Sequence, residues 1–137
     1  MTSSETGFQV RRVYDPAGPG DGTRVLVDRL WPRGLSKQRA AVDVWLKEVS
    51  PSTEVRTRYH GDLDDFAGFS ARYLAELDGS GELGGSVDPA REAAVEQLLD
   101  LARTTTVTLV TAVKEVTHSH VPVLIAYLDE RLRTPPG

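Results

Sequence analysis

Asp28, Arg29, Trp31 and Arg33 stand together in Val25-Leu26-Val27-Asp28-Arg29-Leu30-Trp31-Pro32-Arg33-Gly34, directly behind an apolar run. A carboxylate, two guanidinium groups and an indole at the end of a strand are parts of an anion site. Each guanidinium is a rigid fork of donors for a phosphate, sulfate or carboxylate, and the indole offers a stacking face. A second group, Lys114, Ser119 and His120, follows the β-branched run Thr105 to Val113. It adds a point charge, a hydroxyl near a helix start and an imidazole that titrates close to neutrality. If both groups leave neighbouring strands on one rim, His120 can act as general acid or base with Asp28 or Glu115 orienting it. Arg29, Arg33 and Lys114 would hold the negative charge, and Trp31 and Ser119 would complete the ligand site. Phosphoryl or acyl transfer to water is the matching reaction class, with Glu48 and Glu54 as reserve acids. In the blander reading Asp28 pairs with Arg29 or Arg33 to cover a strand end, Trp31 is an ordinary aromatic and His120 caps a helix. The spacing His118-Ser119-His120 also suits a metal, since an extended H-x-H aligns two imidazoles. His60 is the one further imidazole and there is no cysteine, so no metal and no cofactor are expected.

The elements that must position these groups alternate between strand and helix. Phe8 to Tyr14 reads as a first strand, with one of Arg11 and Arg12 on a solvated face, and the Pro- and Gly-rich loop Asp15 to Thr23 leads into a central strand, Arg24 to Trp31. Pro32 disfavours helix at Trp31, and Gly34 tolerates the dihedrals of a turn. Ser36 can cap a short helical turn through Ala40. Val42, Val44 and Leu46 then alternate as an extended segment, although Ala40-Ala41 and Glu48 leave a helix open there. Ser50-Pro51 predicts a helix over 51–59 that His60-Gly61 stops, and Ser52 is a cap rather than a nucleophile. Phe66, Phe69, Tyr73, Leu74 and Leu77 mark an amphipathic helix with Asp64, Asp65, Arg72 and Glu76 facing away. Asp88-Pro89 begins another, its buried stripe Val95, Leu98, Leu99 and Ala102. Thr105 to Val113 is an interior strand, and a last helix buries Val121, Leu124, Ile125, Leu128 and Leu132, with Pro122 confined to its first turn.

This alternation predicts a single-domain α/β layered sandwich over 1–137, with a mainly parallel central sheet flanked by helices. The expectation includes a flexible tail over 1–7, a Gly-rich connector over 79–88 and a frayed end over 134–137. At 137 residues the chain can bury a proper core without disulfides. No apolar run is long enough for a membrane span and the start lacks a secretory signal, so a cytoplasmic location is expected. The absence of cysteine excludes thiolate nucleophiles and disulfide chemistry. A net charge of -4 argues against duplex nucleic acid as partner while allowing a local basic pocket.

Arg12-Val13-Tyr14-Asp15-Pro16, Val25 to Gly34, Trp45-Leu46-Lys47-Glu48, Pro51-Ser52-Thr53-Glu54 with Arg56, Phe66 and Tyr73, and Ala112 to Leu124 resemble the YeaO-like family of small bacterial proteins of unknown function. The resemblance runs from about Val10 to Leu132, and Asp-Arg-Leu-Trp-Pro-Arg-Gly is its most specific part. It implies a small cytosolic α/β protein and no established activity. Where such proteins often carry Asn-His after the second strong strand, this chain has Ser119-His120, so any ligand-orienting role of that Asn would fall to a shorter side chain. The segment over 79–86 looks expanded, as a surface insertion would.

Two functions follow. The first is an anion-binding domain for a phosphate, sulfate or nucleotide-like ligand, a hydrolase or transferase if it reacts at all, with a concave pocket at Arg29, Arg33, Lys114 and His120. The alternative is a regulatory or protein-interaction module whose Arg/Asp/Trp cluster is structural and whose surface exposes Trp31, Trp45 or Tyr59.

Overall fold

In the computed structural model, residues 8–79 and 88–133 are described. The expected tail over 1–7, the interior of the Gly-rich connector and the end over 134–137 lie outside them. Four strands, β1 (Phe8–Arg12), β2 (Thr23–Leu26), β3 (Val44–Trp45) and β4 (Val107–Thr111), form one sheet in the order β1-β4-β2-β3, with every pairing parallel. The last strand therefore occupies the middle, as its unbroken apolar and β-branched character requires. Among the described residues five α-helices accompany the sheet: α1 (Lys37–Ala40), α2 (Thr53–Gly61), α3 (Phe66–Asp78), α4 (Pro89–Thr104) and α5 (His120–Arg133). The result is the expected α/β layered fold.

The two faces of the sheet are covered unequally. Val25, Val27, Val107 and Leu109 meet Phe69, Tyr73, Leu77, Val95, Leu98, Leu124 and Leu128 from α3, α4 and α5 in the main core. Their alternation with Leu26 and Val110 sends those two to the opposite face, where a smaller cluster with Val13 and Ala40 is covered by Trp31, Leu35 and Val42. Each fully buried aliphatic side chain contributes about 1.5–3 kcal/mol, so the helix-covered face holds most of the stabilisation.

Strand ends fall short of the sequence expectation at three places. The first strand stops at Arg12 rather than Tyr14, because the Asp15 N–H turns back to the Arg12 carbonyl at 3.0 Å. The predicted strand over 24–31 stops at Leu26, and that over 105–113 narrows to 107–111. Val27 still donates to the Val110 carbonyl, but from there the Asp28 side chain takes the ladder's bonds. Extended and helical readings of 42–48 each hold in part: two residues pair as β3, and a 3-10 turn follows over Lys47–Val49.

Helix α2 begins at Thr53, not Pro51, and runs through Gly61. Ser50 closes the 3-10 turn on the Lys47 carbonyl, while Ser52 Oγ accepts from Val55 N and caps the helix. Ser36 and Asp88 cap α1 and α4 as their positions predict. Leu74 is 40 % exposed rather than part of the buried stripe. Glu76, expected to face away, turns inward to accept from Ser52 N at 3.0 Å and lies 3.9 Å from Arg91. Gly22, at φ +63°, stands where a Cβ would come within 2.2 Å of the Thr106 carbonyl oxygen, so only glycine lets the chain enter β2 there.

Below β2 lies a buried ion pair, Asp21 with Arg24 at 2.8 Å, both side chains almost wholly enclosed. Arg24 also donates to the Ala40 and Ala41 carbonyls at the end of α1, so each arm of its guanidinium is satisfied. Arg11 reaches the other Asp21 oxygen at 3.0 Å from the solvent side. The N–H of Gly18 and these cations hold the Asp21 carboxyl below its ordinary range. Asp21→Ala is expected to lower stability to urea by about 3–5 kcal/mol, because it strands a buried cation. Replacing Asp21 and Arg24 together by Leu and Met should cost less than Asp21→Ala alone. Because the folded-state value is depressed, this stabilisation is complete above the ordinary carboxyl range and disappears as acid drives the pH down through the folded value. Asp21→Asn should flatten that acid limb of the stability profile.

Candidate functional site

At the carboxyl ends of β2 and β4, Asp28 Oδ1 accepts from Thr111 Oγ1 and Oδ2 from Ala112 N, each at 2.7 Å. His120, the first residue of α5, puts Nε2 2.9 Å from the Val27 carbonyl and 3.5 Å from Asp28 Oδ1. A carbonyl only accepts, so the proton sits on Nε2 and Nδ1 is left as the acceptor of the neutral ring. The ring is buried and rests edge-on against Tyr73 at 6.1 Å. Burial disfavours its charged form, and Arg56 adds to that, against the opposing pull of Asp28 and the Val27 carbonyl, so the imidazole titrates below its ordinary value. The two groups placed on one rim by sequence are thus in contact through Asp28 and His120.

Their bonding is that of a clamp. Both oxygens of Asp28 are taken by β4, and the same imidazole nitrogen faces both Val27 and Asp28. Ser119 Oγ donates to the Val116 carbonyl at 2.7 Å and accepts from Val121 N at 3.1 Å, fastening the start of α5. Trp31 lies with the cluster on the other sheet face: its indole N–H donates to the Leu35 carbonyl at 2.7 Å and its ring meets Trp45 edge-on at 5.5 Å. Trp45 in turn donates to the Asp28 carbonyl at 2.8 Å. Arg33 and Lys114 are exposed, and Tyr14 donates to the Arg33 carbonyl, holding that turn beside the end of β1. Arg12, one of the two arginines of β1, donates to the Ala112 and Val113 carbonyls, so the exit of β4 is gripped from both sides.

Arg29 takes a different course. Its Nη2 reaches the Pro51 carbonyl at 3.4 Å, immediately ahead of α2, and its Nε is buried with no partner among the described residues. Arg56, on the first turns of α2, repeats this: Nη2 lies 3.4 Å from Thr53 Oγ1, Nε is buried and unpartnered, and its charge is felt at His120. Arg72 and Arg91 also carry a buried free Nε, but Asp65 at 3.2 Å and Glu76 at 3.9 Å stand against their heads. Arg29 and Arg56 have no carboxylate beside them among the described residues. Arg56 is the residue that sequence reasoning misses; its one signal is its place in the family-like stretch that begins at Pro51.

An open trough of about 490 Å³ lies elsewhere, along β1 at Gln9, Val10, Arg11, Arg12, Asp15 and Val116. His118 and His120 do not share a face, because a 3-10 turn over Val116–His118 separates them and His118 meets Phe66 edge-on at 5.3 Å. Among the described residues no three His, Asp or Glu side chains gather as a metal site would require. No helix among them is long and apolar enough to cross a membrane.

The family described as the inactive DUF488-N3 subclade matches residues 7–136. The uncharacterized protein YeaO of Escherichia coli (strain K12) is 43% identical over 121 residues, covering 88% of this chain and 96% of the relative. The uncharacterized protein Rv3073c of Mycobacterium tuberculosis (strain H37Rv) is 41% identical over 127 residues, covering 93% and 98%. No solved structure matches the chain.

Asp28→Ala should cost about 2–4 kcal/mol in urea unfolding, since it removes two bonds to a carboxylate and leaves Ala112 N unsatisfied; a loss under about 1 kcal/mol would show that the tie bears no structural weight. Because folded His120 takes up its proton only below 6.5, the unfolded chain binds more protons just beneath that value, and stability should fall as pH drops through 6.5 and below. His120→Gln, which keeps a donor for Val27, should lose less over that interval in pH-dependent melting.

Proposed function

The chain belongs to the inactive DUF488-N3 subclade, the family of YeaO-like proteins, and we propose that it binds a small anion in the cytoplasm without transforming it. The anion is a phosphate, a sulfate or the charged end of a nucleotide-like molecule. One observation carries the reading: Arg29, ending just ahead of α2, and Arg56, on its first turn, are half-buried cations without a carboxylate beside them among the described residues and with their Nε donors unspent. A buried unspent donor on a charged group is costly unless an acceptor meets it, and an oxyanion meets two guanidinium forks at once. Exposed Arg33 and Lys114 raise the local potential. Asp28, Ser119 and Trp31 hold the strand ends and turns that set the cations in place.

Catalysis is left out on chemical grounds. A general acid or base must reach the proton it moves: His120 commits its Nε2 proton to the Val27 carbonyl and the ring that carries its accepting Nδ1 is buried, while Asp28 has both oxygens taken by Thr111 and Ala112. The family description, with its word inactive, agrees.

Thermal melting in phosphate and in sulfate tests the proposal. At ten times the dissociation constant, binding adds about 1.4 kcal/mol and should raise Tm by about 5 °C. Arg56→Gln and Arg29→Gln should melt near the unliganded wild type and lose that rise. No rise with either anion would refute the reading and favour the interaction module, whose surface would then centre on Leu30, 73 % exposed, and Trp45, 39 % exposed.

A further inference from the structure

Next to the two arginines lies a set of rings that the anion reading leaves unused. Tyr59 follows Arg56 by three positions on α2, which puts the two on one helix face. Its ring stacks on Phe69 at 4.3 Å and 16°, and its hydroxyl donates to the His118 carbonyl at 2.9 Å. Phe66 stands 6.1 Å from Tyr59 and meets the His118 imidazole at 87°. Phe69 and Tyr73 are core residues, but Tyr59 and Phe66 are half-buried and His118 is exposed. A row of rings that begins in the core therefore surfaces one helical turn from Arg56, and His118 ends it two residues before buried His120.

We propose that the anion is joined to a planar ring: the site at Arg29 and Arg56 takes a nucleoside monophosphate, with the phosphate on the guanidinium groups and the base against Tyr59, Phe66 and His118. This rests on the anion reading and narrows its ligand. Every base has a π-face, so stacking of this kind accepts a base with little regard to its identity. A longer nucleic acid is disfavoured, because a chain of net charge -4 repels a polyanion beyond the local site.

Calorimetric titration of the full chain with inorganic phosphate, adenosine 5′-monophosphate, adenosine and a short single-stranded oligonucleotide separates the possibilities. The monophosphate should bind about tenfold more tightly than phosphate, a stacking gain of about 1.4 kcal/mol. His118→Ala, an exposed position, should bring the two affinities together while leaving phosphate binding unchanged. Phe66→Leu should act in the same direction, which guards against a misleading result from one variant. Equal binding of phosphate and monophosphate, or a preference untouched by His118→Ala, overturns the ring assignment and leaves the anion reading standing. Binding of adenosine as tight as the monophosphate, or of the oligonucleotide more tightly than either, also overturns it. No binding of phosphate or monophosphate defeats both.

Discussion

The carboxylate of Asp28 is the constraint on which the rest of the site depends. Parallel strands diverge at their carboxyl ends, where the ladder stops and backbone groups need new partners. Asp28 supplies them from a side chain, taking the Thr111 hydroxyl and the Ala112 N–H, so β2 and β4 end together although they are far apart in the chain. Arg12 grips the Ala112 and Val113 carbonyls from the other flank. Three strands are thereby fixed where the loops begin, and His120 is held over the same point by the Val27 carbonyl.

With the strand ends tied, charge at the rim sorts itself. Asp28 points both oxygens at the exit of β4 and no ion pair joins it to Arg29 or Arg56 among the described residues, so these two guanidinium groups, one ending just ahead of α2 and one on it, stand without a carboxylate partner. Elsewhere the chain pairs its enclosed cations with care: Arg24 meets Asp21 and two carbonyls, and Arg91 meets the Ser50 carbonyl with Glu76 close by. The contrast marks the Arg29–Arg56 corner as chemically unlike the other places where arginine is enclosed.

Much of the fold was legible because its signals are local. Val25 to Val27 and Val107 to Thr111 could only be buried strand, Ser36 and Asp88-Pro89 could only start helices, and the 3.6-residue period of α3 needed no partner to be read. What escaped is non-local. Nothing in residues 24–31 announces that Asp28 will bond to Thr111, so the early end of β2 was hidden. Ser50 and Ser52 are equivalent as caps until the 3-10 turn claims the first of them. The pairing of the Asp28 and His120 segments was foreseeable from strand ends alone, whereas the placement of Trp31 on the far face and the approach of Arg56 depend on how α1 and α2 pack. Family membership was readable from the Asp-Arg-Leu-Trp-Pro-Arg-Gly stretch, and relatives that cover nearly the whole chain bear it out.

Strand order has a consequence for how the molecule comes into being. Phe8 pairs with Val107 and Thr23 with that same residue, so β1 and β2 never touch and both wait for the strand between them. A nascent chain leaving the ribosome carries β1 without a partner and β2 with only the two-residue β3 beside it until its final third emerges, and closing so long a loop is slow. The amino-terminal two-thirds cannot be a folding unit in its own right. The sheet is completed late, when β4 takes its place between β1 and β2 and Asp28 meets the end of that strand.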